Sequence, residues 1–121
     1  MKNIKILVVD DEPSLRQVLM FELKFHGHVV FEAEDGQSAL EALEKQEVDL
    51  IISDLRMPGD LDGIDLVEAY RKKKPDQKVI LMTGYALDES FEKARKAGIV
   101  HCLRKPFELK ELESTISQLF L

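Results

Sequence analysis

An α/β fold built on one parallel sheet is what this sequence predicts, and three observations predict it. Five short apolar runs alternate strictly with five helix-length amphipathic stretches, which implies parallel strands joined by right-handed helical crossovers. The runs are continuous in Val, Ile and Leu, the pattern of strands buried on both faces. Gly, Pro and Ser fall at the boundaries between the two kinds of segment.

The first strand run is Ile4 to Val9, and it ends in Asp10, Asp11 and Glu12. Pro13 and Ser14 open the first helix, because proline fits the first helical turn, where its missing N–H has no partner to lose. Leu15, Val18, Leu19 and Leu23 then recur at three- and four-residue spacing until Gly27 ends the helix. Val29 to Ala33 is the second strand; Gly36 precedes a second helix marked by Ala39, Leu40 and Leu43. Val48 to Ser53 is the third strand, with Asp54 directly after it, and Ile64, Leu66, Val67 and Tyr70 mark the third helix. Val79 to Met82 is the fourth strand; Phe91, Ala94 and Ala97 mark a helix closed by Gly98. Val100 to Leu103 is the fifth strand, and Leu109, Leu112, Ile116 and Leu119 line the last helix. The common solution for this alternation is the flavodoxin-like (βα)5 arrangement, strand order 2-1-3-4-5 with helices on both faces. No repeat, low-complexity tract or linker interrupts the pattern, so one domain is expected over residues 1–121.

Composition narrows the function classes. Lys plus Arg number 17 against 23 Asp plus Glu, a net charge of -6, which leaves no cationic footprint for direct nucleic acid binding. Cys102 is the single cysteine, so neither an internal disulfide nor a cysteine metal cluster can form. The N-terminal apolar run is too short for a signal peptide or a membrane span; no membrane insertion and a cytoplasmic location are expected. Cys102 reads as a packed small residue. His26, His28 and His101 are scattered, without a carboxylate or cysteine read at ligand spacing, and are expected to be structural or exposed. Glu12, Asp60, Asp62 and Asp65 read as solvated acids, and Arg71 to Lys74 as the solvated cationic end of the third helix.

In open parallel sheets, ligands bind beyond the carboxyl ends of the strands where the strand order reverses. There, strands 1 and 3 deliver Asp10, Asp11 and Asp54 to one crevice. At ~4 Å each like-charge pair costs about 4 kcal/mol at an effective dielectric near 20, so the cluster needs a raised pKa or a bound cation. Oxygen-only ligands favour a hard ion, and Mg2+ suits a few carboxylates plus waters. Thr83 and Lys105, at the ends of strands 4 and 5, would face the same crevice with a hydroxyl and an ammonium. Together these groups could surround a transferred phosphoryl group, with Asp54 best placed as nucleophile.

The set VVDDE, SDLRMP followed by DG, MTGY and KPF, in this order and across the full length, resembles the receiver domain of two-component response regulators, in a chemotaxis-regulator-like form. The resemblance implies that Asp54 is the phosphoacceptor, loaded by a sensor histidine kinase or a histidine phosphotransfer protein. It implies that Asp11 binds Mg2+ directly, that Asp10 contributes directly or through water, and that the Arg56 carbonyl is a further ligand. Thr83 and Lys105 would contact the phosphoryl oxygens, and Lys105-Pro106 would be a cis peptide, affordable only at proline. The domain would be a signalling phosphoacceptor that assists its own phosphorylation and dephosphorylation, not an enzyme with turnover. Output would pass through a downstream protein target or a fused effector, with a homodimer possible.

Three features bear on how closely the chain follows the family pattern. Cys102 stands where a switch Tyr or Phe is usual, three residues before Lys105, so Tyr85 is the candidate substitute reporter beside Thr83. The MPGDLDG stretch is one residue longer than the commonest form. Arg56 and Tyr85, two residues after Asp54 and Thr83, are bulky and predict slow self-dephosphorylation. Two rivals from other classes are an aspartate-nucleophile phosphohydrolase and a phosphorylation-independent flavodoxin-like binding module. The first needs an acid two residues after its nucleophile, where Arg56 stands; the phosphate loop of a flavin carrier would not place Asp10 and Asp11 after strand 1.

Overall fold

The computed structural model describes residues 3–84 and 88–120. Five parallel strands, β1 (Lys5–Val9), β2 (Val29–Ala33), β3 (Leu50–Asp54), β4 (Lys78–Thr83) and β5 (Cys102–Arg104), form one sheet in the order β2-β1-β3-β4-β5. Between and after them run α1 (Pro13–Phe25), α2 (Gly36–Lys45), α3 (Gly63–Arg71), α4 (Asp88–Lys96) and α5 (Leu109–Leu119). The flavodoxin-like order expected from the alternation is the one observed.

The period-2 geometry of a strand divides the apolar runs between two cores. Leu7, Val9, Ile51, Val79 and Leu81 point to one face, where they pack with Ala39, Leu43, Leu66 and Val67. Ile6, Val8, Leu50, Ile52, Ile80 and Met82 point to the other, against Leu19, Leu23, Leu112 and Ile116. Each fully buried Leu or Ile is worth about 1.5–3 kcal/mol, so both layers hold the central strands firmly. That rigidity fixes the strand ends on which the site is mounted.

Not every run is buried on both faces. β2 is an edge strand with Val29 53% exposed, and Val100 is 72% exposed and lies outside β5, which starts at Cys102. Gly36 is the first residue of α2, and Asp35 caps that helix by accepting from Ser38 N at 2.7 Å. Asp62 and Asp65 are not simply solvated: Asp62 Oδ1 accepts from Asp65 N at 2.8 Å and Asp65 Oδ2 accepts from Asp62 N at 3.1 Å, a reciprocal cap on α3. Arg71 is likewise not a solvated helix end. Its guanidinium donates to the carbonyls of Gln77 at 2.9 Å and Gly98 at 3.1 Å, tying α3 to the entries of β4 and β5.

Candidate functional site

The crevice lies at the carboxyl ends of β1, β3, β4 and β5. Asp10 follows β1 fully buried, its backbone N–H donating to Ala33 O at 3.1 Å and its Oδ1 accepting from Glu12 N at 2.9 Å. Asp11 is exposed at the rim. Asp54 ends β3 with 13% of its side chain exposed, and it accepts the backbone N–H of Arg56. Carboxylate oxygens of Asp10, Asp11 and Asp54 lie within 4.8 Å of one another.

Lys105 reaches into this group from the β5–α5 connection. Its Nζ donates to Asp54 Oδ2 at 3.1 Å and to Asp10 Oδ2 at 3.2 Å. The lysine is anchored from below, because its backbone N–H donates to Thr83 O at 2.7 Å. Thr83 itself is 2% exposed at the end of β4. The Lys105-Pro106 peptide is cis, as the resemblance implied. The structure therefore brings Asp10, Asp54 and Lys105 into direct contact, with Asp11 beside them and Thr83 on the neighbouring strand end.

Burial sets the electrostatics. It pushes the Asp54 carboxyl above its ordinary value, against the charge and hydrogen bond of Lys105, while the Asp10 charge pushes further up. For Lys105, burial acts to lower the ammonium, but the Asp54 and Asp10 carboxylates outweigh it and hold it above its usual value. Three carboxylates against one ammonium leave a formal charge of minus two, which a divalent cation would balance. The group consists of carboxylates alone, a donor set for a hard, oxygen-seeking ion. The residues thus fit a metal, with Asp10, Asp11 and Asp54 as side-chain ligands.

Two positioning residues escaped the sequence reading. Arg16 donates through Nη1 to the Asp10 carbonyl at 2.6 Å and through Nε to Glu32 Oε1 at 2.7 Å, bracing the turn between β1 and α1. Its place one turn into a helix after an acidic strand end was the available signal. Gly63 packs so closely under β3 that a Cβ would lie 2.4 Å from the Asp54 carbonyl oxygen. Cys102 is half-buried in the core beside β4, and burial pushes its thiol up, in keeping with a packed residue. Tyr85 lies outside the described residues. One further expectation fails: His26 does have carboxylates at ligand spacing, Glu22 one turn earlier and Glu113 on α5.

The profile of the response regulator receiver domain matches residues 6–117. The chain is 30% identical over 118 residues to the sporulation initiation phosphotransferase F of Bacillus subtilis, covering 98% of this chain and 94% of that one. It is 36% identical to the alkaline phosphatase synthesis transcriptional regulatory protein PhoP of the same organism, spanning 94% of this chain and 47% of that one. Among solved structures, the response regulator TrrA of Thermotoga maritima, in complex with Mg2+-BeF, superposes with a TM-score of 0.85 at 38% identity, covering 99% and 100% of the two chains. Among the described residues no helix is long and apolar enough to cross a membrane.

Proposed function

The chain belongs to the response regulator receiver domain family, the phosphoacceptor part of two-component systems, and from that premise we propose that Asp54 is its phosphoacceptor. The observation that carries this reading is the shared contact of Lys105 with Asp54 and Asp10, at the carboxyl ends of β5, β3 and β1. A phosphohistidine on a sensor kinase or a histidine phosphotransfer protein would present its phosphorus to Asp54. An oxygen of the Asp54 carboxylate attacks phosphorus, the P–N bond breaks, and its electron pair leaves on the imidazole. The product is an acyl phosphate on Asp54.

Each neighbouring residue has a task in that step. The Arg56 N–H orients the carboxylate, and Lys105 Nζ, already 3.1 Å from Asp54 Oδ2, follows the charge onto the incoming phosphoryl oxygens. The Thr83 hydroxyl, at the next strand end, accepts the task of holding a second phosphoryl oxygen. Mg2+ held by Asp10, Asp11, Asp54 and the Arg56 carbonyl would neutralise charge on the transferred group. The Mg2+-BeF complex of the Thermotoga relative supports magnesium as that ion. Phosphorylation adds about -1.5 to -2 charges beside Thr83 and Lys105, which is the event a downstream protein or fused effector reads in the cytoplasm.

A phosphohydrolase reading is disfavoured because Arg56, exposed and cationic, stands where a leaving-group acid would be needed. The test is incubation with Mg2+ and acetyl phosphate, followed by intact mass. One phosphoryl group should be gained by the parent chain and none by Asp54→Asn. Sustained turnover of a phosphomonoester, or uptake that survives Asp54→Asn, would overturn the reading.

A further inference from the structure

At the end of the molecule opposite the acidic crevice, three ligand-bearing side chains from two helices converge. Glu22 lies in the last turn of α1, His26 caps that helix four residues on, and Glu113 comes across from α5. Glu22 Oε2 lies 2.9 Å from His26 Nε2, Glu113 Oε1 abuts the same nitrogen, and the three ligand atoms are all within 4.8 Å of one another. α1 has 13 residues, and at 1.5 Å per residue it separates this cluster from Asp10 by about 20 Å.

The protein's own protons do not satisfy this arrangement. One Nε2–H can serve a single carboxylate, yet two carboxylates face it. Glu113 Oε1 is buried and receives no well-formed hydrogen bond. Phe25 packs edge-on against the imidazole, ring centroids 5.5 Å apart, and limits how the ring can turn.

We propose that Glu22, His26 and Glu113 bind one borderline divalent cation of the zinc class, clamping the C-terminal end of α1 to α5. Two carboxylates and a neutral imidazole supply a minus-two charge and three lone pairs, leaving a fourth position for water. Ligand atoms around a tetrahedral zinc at ~2.1 Å stand roughly 3.4 Å apart, which small rotamer adjustments of a cluster within 4.8 Å reach. The imidazole selects zinc-like ions over Mg2+ and Ca2+, so this site and the acidic crevice take different metals.

The test is a Zn2+ titration of the full chain in excess Mg2+, against a competing chromophoric chelator, with unfolding temperature recorded in parallel. The parent chain should bind one Zn2+ and melt at a higher temperature when loaded. Outer-shell partners alone are worth 10–100-fold in metal affinity, so His26→Gln and Glu113→Gln should each weaken Zn2+ by about tenfold or more. All three side chains are partly exposed, so the variants should fold; Glu22→Gln provides a third substitution, and circular dichroism checks each one. Failure of the parent chain to bind Zn2+, or affinities within about twofold of the parent in folded variants, overturns the proposal.

Discussion

Substituting Gly63 by alanine should damage the phosphoacceptor site without touching any of its functional groups. Gly63 opens α3, and its N–H donates to Leu55 O at 2.8 Å, so the helix sits directly under the end of β3. An added Cβ would lie 2.4 Å from the Asp54 carbonyl oxygen, 3.1 Å from Leu55 Cα and 3.2 Å from Leu81 Cδ2. Real Cβ atoms essentially never come closer than 3.0 Å, so Asp54 and α3 must separate by about 0.6 Å at least. The clashing atom is backbone in a strand paired on both sides, so little can yield cheaply. Overpacking of this kind costs about 1–3 kcal/mol, and alanine's better helix propensity returns at most ~1 kcal/mol of it. A net loss of about 1–2 kcal/mol is expected from urea denaturation. Since a 1 Å misplacement can cost roughly 100-fold in rate, phosphoryl uptake from acetyl phosphate should slow by about tenfold or more. Gly98→Ala is the control: φ of +80° makes it similarly destabilising, but at the far end of the sheet, where uptake should be unchanged. Stability within about 0.5 kcal/mol of the parent together with uptake within twofold would refute the packing argument, as would equal slowing by Gly98→Ala.

Three further outcomes follow from the same geometry. Saturating Mg2+ should stabilise the parent chain, by about 2.7 kcal/mol at 100 times its Kd, and Asp11→Ala should lose most of that gain in thermal unfolding. His28 is buried, its Nδ1 accepts from Ile4 N at 3.1 Å, and burial lowers its pKa below the ordinary 6.5. The unfolded chain therefore binds the extra proton, so stability is full above about pH 6.5 and falls as pH drops from there toward the folded pKa. His28→Asn, which still offers Ile4 an acceptor, should flatten that part of the urea-midpoint profile, and an unchanged slope would refute it. Arg56→Asn should shorten the lifetime of the phosphorylated state by letting water approach Asp54, as read from decay of the phosphorylated mass.

Much of the fold was legible because each link is local. The continuous apolar runs, Pro13 at the start of α1 and Gly98 at the end of α4 depend on near neighbours and survive into the structure. Edge exposure did not show, since VVF in β2 reads like ILVV in β1; strand position is decided by partners far along the chain. The acids, Thr83 and Lys105 were legible because parallel strands deliver their carboxyl ends to one side. Their pairing was not: whether Lys105 meets Asp54, Asp10 or solvent is set by the three-dimensional approach of β5 to β1 and β3. Arg71 failed for the same reason, as did the Glu113 half of the His26 cluster, since Gly98 and Glu113 meet them only after the helices dock; Glu22, four residues before His26, was readable and was missed. The cap formed by Asp62 and Asp65 was different. Its D-x-x-D spacing before an apolar run was readable and was mistaken for solvated charge.

The central claim is that the phosphoryl group resides on Asp54, and trapping the acyl phosphate tests it most directly. Chain loaded with acetyl phosphate and Mg2+ is quenched with hydroxylamine, which converts an acyl phosphate to a hydroxamate, and the modified residue is located by peptide mass spectrometry. A single hydroxamate at Asp54, dependent on prior loading, is the predicted result. A hydroxamate at Asp10 or Asp11, or a hydroxylamine-resistant phosphate on a serine or threonine, would contradict the account.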